Sequence, residues 1–165
     1  MQLDADPWAP PAPVFLAVFL NDHLATAAGG RALAARAAGA VAPSPYRAVL
    51  DAAAGTLADQ HAAFRRLLAG HDLKERRGKQ WLAVLGERTG RLKLNGKLVH
   101  PSPLSRLVEL EGVLLSLEMC RQAWRALAEA GVAEAEADAA QRALDARVHE
   151  LEAHRPPIAR AALSR

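Results

Sequence analysis

Six side chains in this sequence could do chemistry together: Asp22, Gln60, His61, Arg88, Glu111 and Glu118. The spacing of apolar residues puts each on the inward side of a predicted helix. Glu111 and Glu118 matter most. They are seven positions apart, and at about 100° per residue they project within about 20° of each other. Leu104, Leu107, Leu114 and Leu115 lie on either side of them, so both carboxylates fall inside an apolar face. A carboxylate in such a place needs a partner, because burying it unpaired costs several kcal/mol.

Three partners are open. Carboxylates from facing helices, with a histidine among them, are how helical bundles build metal sites. On that reading Asp22, His61, Glu111 and Glu118 are ligands for iron, manganese or zinc. Di-iron carboxylate bundles also use two Glu-x-x-His pairs, and this sequence contains none. The second reading is a buried polar network, with Arg88 paired to Glu111 or Glu118 and the hydrogen bonds completed by Gln60 or His61. The third is a small-ligand pocket. The missing Glu-x-x-His favours the network, with no metal or other cofactor.

A second cluster is basic. Lys79, Arg91, Lys93 and Lys97 belong to a stretch of cations between Lys74 and Arg106 that could bind the phosphates of nucleic acid or lipid. No aromatic residue is interleaved with them for base stacking, and Asp72, Glu75 and Glu87 dilute the field. A solvated face is the favoured reading, and nucleic acid is not an expected partner. His149, Glu150, Glu152 and His154 stand at helical contact spacing and could hold a surface metal. On so charged a helix, exposed pairing is favoured. There is no locally supported Ser-His-Asp or Cys-His pattern, no phosphate-binding glycine loop and no redox cysteine pair. An enzyme of a common class is therefore not expected. Cys120 is the single cysteine, which excludes an internal disulfide and a cysteine-based zinc site; it reads as a small buried hydrophobe.

The elements that position these residues are helical. Alanine, leucine and arginine dominate the 165 residues, and β-branched and aromatic residues are scarce. The length suits one domain with a real core. The excess of alanine and arginine suggests a bacterial source. A net charge of +3 permits anionic partners without requiring them. Residues 1–13 hold four prolines, and acids where a signal peptide would be basic. They read as an extended arm, with Trp8 docking on the bundle or on a neighbouring subunit. Val14 to Leu20 is too short to span a bilayer, so a cytoplasmic protein is expected.

A first helix is predicted over 13–42, buried on two sides. Its first face is Val14, Phe15, Val18, Phe19 and Leu33; its second is Leu16, Leu20 and Leu24. Gly29-Gly30 is a close-packing point or a kink. Ser44-Pro45 opens a second helix that runs to Gly70. A third, over 79–94, carries Trp81, Leu85 and Leu92. Ser102-Pro103 opens a fourth, which Gly131 ends. The last helix, 133–155, has a narrow seam of Ala137, Leu144 and Leu151 and stops at Pro156-Pro157. The expected architecture is all-α: a four-helix bundle over 14–130, with an additional amphipathic C-terminal helix and tail over 131–165. The narrow seam puts that last helix outside the bundle or against a copy of itself. A homo-oligomer, such as a homodimer, or a protein partner bound through it is expected.

Leu20-Asn-Asp-His-Leu-Ala25, Leu85-Gly-Glu-Arg88, Gly90-Arg-Leu-Lys-Leu-Asn-Gly96 and Ser102-Pro-Leu-Ser-Arg-Leu-Val-Glu-Leu-Glu-Gly112 resemble a family of small bacterial helical proteins. The resemblance covers about residues 14–128. That family carries no assigned activity, so it implies no catalytic residues. In architecture the pattern is similar to ferritin-like bundles, an analogy that implies fold and not function.

Overall fold

A computed structural model describes residues 12–76 and 102–164. Four helices account for nearly all of them: α1 (Ala12–Gly39), α2 (Pro45–Gly70), α3 (Pro103–Glu129) and α4 (Glu134–Leu163). There is no strand among the described residues. None of these helices is long and apolar enough to cross a membrane. The helix predicted over 79–94 lies outside the described residues.

Local chemistry sets the helix ends. The Ser44 hydroxyl accepts from the Arg47 amide at 3.2 Å and Pro45 follows; the Ser102 hydroxyl accepts from the Ser105 amide at 3.1 Å and Pro103 follows. Each serine satisfies a first-turn N–H that has no partner within the helix. After α3, Gly131 adopts φ +69°, where a side chain would be strained. The Val132 amide then reaches back to the Leu127 carbonyl and the Gly131 amide to that of Ala128, each at 2.9 Å. This closes the helix and sets Val132 beside Leu127.

Cross-helix contacts fix the topology. His23 lies 6.1 Å from Phe64 between ring centroids, so α1 runs antiparallel to α2. Gly30 faces Ser116 and Arg36 pairs with Glu109, so α1 is also antiparallel to α3. Glu111 with Arg155 and Arg121 with Asp145 make α3 antiparallel to α4. Arg147 with Thr56, and His154 with Tyr46, do the same for α4 and α2. The result is two antiparallel hairpins around one core. Arg76 ends beside Asn21, in the first half of α1, whereas Ser102 starts α3 beside the far end of α1. With 27 residues in α3, the bundle is about 40 Å long.

The bundle differs from expectation in its membership. Among the described residues the C-terminal helix packs into the core with the other three helices and does not lie outside them. Its seam residues Ala137, Leu144 and Leu151 are all 0% exposed, and Ala140 and Val148 pack against the same core. A corner helix touches only two neighbours, so a narrow stripe with small residues is enough to seat it. The seam that was to serve a second copy is therefore consumed within the chain. α4 also passes through Pro156-Pro157 and continues to Leu163. The two prolines cannot donate to the Glu152 and Ala153 carbonyls, but both of those residues are exposed, where water can serve them. Ile158, packed against the core, rewards the continuation.

α1 differs as well. It stops at Gly39, and of its second face Leu20 and Leu24 are buried, at 0% and 8% exposure, while Leu16 is partly buried and lines an apolar groove. Of the first face, Phe19 and Leu33 pack on the core, but Val14, Phe15 and Val18 stay exposed.

Candidate functional site

The two glutamates do not point inward. Glu111 is exposed and accepts from Arg155 Nη2 of α4 at 3.1 Å. Glu118 is half-buried. It takes two bonds of 2.8 Å from the Arg121 guanidinium and one of 2.7 Å from Gln122. The Arg121 hydrogen bond, outweighing partial burial, holds the Glu118 carboxyl below the usual carboxylate range. Arg121 also reaches Asp145 at 3.1 Å, so both glutamates belong to surface ion pairs that link α3 to α4. The reason is visible in their flanks. Leu104 and Leu115, which made the face look apolar, are themselves exposed. The other two flanking residues, Leu107 and Leu114, are buried and belong with Leu110, Val113, Leu117 and Trp124 to the stripe of α3 that faces the core.

The other expected site residues are scattered. Asp22 is exposed. His61 is half-buried near Ala28 and Arg31 of α1; burial first, then Arg65, with Glu75 opposing and Arg31 assisting, lowers its pKa. Gln60 is buried. Arg88 and the basic set Lys79, Arg91, Lys93 and Lys97 lie outside the described residues. No three His, Cys, Asp or Glu residues among the described ones come together as a metal site. Asp22, His61, Glu111 and Glu118 are thus not assembled for iron, manganese or zinc. On α4, Glu150 pairs with Arg147 and Glu152 with Arg155, while His154 faces Tyr46. Exposed single pairs of this kind contribute at most about 1 kcal/mol each. Glu111→Gln is therefore expected to change unfolding free energy by less than about 0.5 kcal/mol in a denaturant titration.

The interior holds two polar contacts instead. Trp124 Nε1 donates to Gln60 Oε1 at 2.5 Å, and the indole stacks on Phe64 with centroids 5.3 Å apart. Asn21 fastens the chain after α2: its Nδ2 donates to the Ala17 carbonyl at 2.7 Å and to Lys74 at 3.2 Å, and its Oδ1 accepts from the Arg76 amide at 2.6 Å. Every buried side-chain nitrogen and oxygen among the described residues has a partner. Sequence reasoning missed Asn21 and Trp124. The one available signal was an asparagine, a poor helix former, inside an otherwise apolar helix. Burial pushes the Cys120 thiol up to about 12, so almost no thiolate exists near neutrality. An aromatic disulfide reagent should leave Cys120 unmodified in the native protein and react with one equivalent after unfolding.

One surface is built differently from the rest. The first turns of α1, Leu73 after α2, and Leu127 with Val132 at the end of α3 enclose an open groove of about 800 Å³. Its walls are apolar apart from Asp22 and His71. Val14, Phe15 and Val18 crowd this end at 41%, 52% and 38% exposure. Compared with protein-family models, with curated proteins and with solved structures, the chain matches none.

Proposed function

We propose that this chain is a non-enzymatic interaction module, a ferritin-like four-helix bundle whose working surface is the apolar groove at the N-terminal end of α1. The ferritin-like label rests on two antiparallel hairpins whose connection joins opposite ends of the bundle. The label concerns architecture alone: among the described residues no three His, Cys, Asp or Glu side chains come together.

The exposure of Phe15 and Val18 in the wall of one concavity, with Val14 exposed on the same first turns of α1, carries the reading. Each such side chain, already about half covered, gains roughly 1 kcal/mol when the rest is buried. A cluster of them beside a concave, mostly apolar wall marks a place where something docks. The fitting partner is a polypeptide segment with an aromatic or large aliphatic anchor, seated by burial and not by charge.

The test is Phe15→Asp in the full chain, read with an anilinonaphthalene sulfonate dye. Affinity should fall about tenfold or more. The unfolding midpoint should stay within about 2 °C, because the side chain is half in water already. Dye binding that is indifferent to Phe15→Asp would contradict the proposal.

A further inference from the structure

We infer that Asn21, a residue outside the groove wall, fixes the groove's shape: it is a positioning residue that straps the chain after α2 against α1 and so holds Leu73 as one wall. The inference rests on reading the groove as the working surface and names what keeps it in form.

The end of α2 brings Leu73 to that wall. Asp72 turns the chain at φ +53°, in the left-handed region that favours glycine and that aspartate enters more readily than most residues. The Asp72 amide donates to the Ala69 carbonyl at 3.1 Å, and the Leu73 amide to that of Leu68 at 2.8 Å. This pair of bonds ends the helix and lays Leu73 back against the core. Residues 73–76 have no regular structure of their own. Side chains from the helices hold them instead.

Two such side chains are in place. Arg65 of α2 donates to Glu75 at 3.0 Å, but the pair stands largely in water and is weak. Asn21 of α1 is the stronger fastening, being only 8% exposed. Its Nδ2 donates to the Lys74 carbonyl and its Oδ1 accepts from the Arg76 amide, so it grips the strap on both sides of Glu75. A buried amide matched at both ends is costly to leave unpaired. Its neighbour Asp22 stands in the groove wall with Leu16 and Phe19, whereas Asn21 does not. The same helix therefore supplies part of the wall and ties down another part. Without the tie, residues 73–76 can open locally while the bundle stays folded, and Leu73 leaves the groove.

The anilinonaphthalene sulfonate dye reads this in the full chain. Leu73→Ala should lower dye affinity about threefold, because an apolar wall is lost. Asn21→Ala should lower it by a similar factor from outside the wall. Its unfolding midpoint should stay within about 4 °C, since alanine regains helix propensity where the side-chain bonds are lost. The two substitutions together should do no more harm than either alone, because Asn21 acts through Leu73. Asp72→Gly suits the left-handed turn and lies outside the groove wall, so it should recover part of the affinity lost by Asn21→Ala. Dye binding that depends on Phe15 but not on Asn21 would overturn the inference, whatever the midpoint does, and leave the groove reading standing. Losses that multiply in the double variant would also overturn it, since Asn21 would then act by another route. Dye binding indifferent to Phe15→Asp would remove both.

Discussion

Gly30→Val should be among the most damaging single substitutions in this protein, lowering stability by about 3 kcal/mol or more. A Cβ at Gly30 would stand 2.4 Å from Ser116 Cβ, 2.7 Å from Ser116 Oγ and 3.2 Å from a Leu57 methyl. The first of these atoms is next to the α3 backbone and cannot swing away. The two helices would have to separate, and the layer of Leu57, Val113 and Leu117 around them is fully buried. Overpacking of a sealed core costs about 1–3 kcal/mol, and valine adds two further methyl groups to the clash. A domain of this size loses about 2–4 °C of midpoint per kcal/mol, so a fall of about 6–12 °C is expected in a thermal scan. Gly30→Ala should do less harm, and Ser116→Gly should recover part of its loss, because it removes the facing Cβ. The coupling between the two should be at least about 1 kcal/mol in a double-mutant cycle. Gly55 is the control. A Cβ there meets nothing within 4 Å, so Gly55→Ala should stabilise by about 0.5–1 kcal/mol through helix propensity alone.

Trp124→Ala is the second large effect, at about 3–5 kcal/mol by denaturant titration. The indole is 1% exposed and fills the centre between α2 and α3. Truncation opens a cavity against Phe64 and leaves the buried Gln60 carbonyl without its donor. Trp124→Phe separates the two losses. It keeps an aromatic ring against Phe64 but strands the Gln60 amide, which should cost about 1–3 kcal/mol. Replacing Gln60 by leucine in that background should then regain much of the loss, since removing both polar partners is nearly neutral.

Helix ends and one helix face were legible in the residues because their causes are local. Ser44-Pro45, Ser102-Pro103 and Gly131 act within one turn of themselves, and each ends or begins a helix where local chemistry requires it. The buried leucines of α3 follow the helical period and read directly. The inward site did not, because a helical projection gives angles about one axis and says nothing of where the neighbours stand. Glu111 and Glu118 share an azimuth as expected, but that azimuth faces Arg155 of α4 and the α3 surface around Arg121. The Gln60–Trp124 bond joins residues 64 positions apart, and Asn21 meets Arg76 across 55, so neither leaves a periodic trace. The C-terminal helix was displaced from the core on the width of its seam. A corner position in a bundle needs no more than Ala137, Leu144 and Leu151 supply. Val14, Phe15 and Val18 carried the opposite error: apolar residues at helical spacing read as core, and the fold leaves them at the surface.

In the proposed role this bundle works through one apolar end and not through the polar side chains along its helices. Amide chemical-shift mapping of the full chain during titration with the anilinonaphthalene sulfonate dye tests it most directly. Saturable shifts confined to Val14–Phe19, Leu73 and the Leu127–Val132 turn are the predicted result. Shifts centred on His61, Glu111 and Glu118, with that end silent, would contradict it.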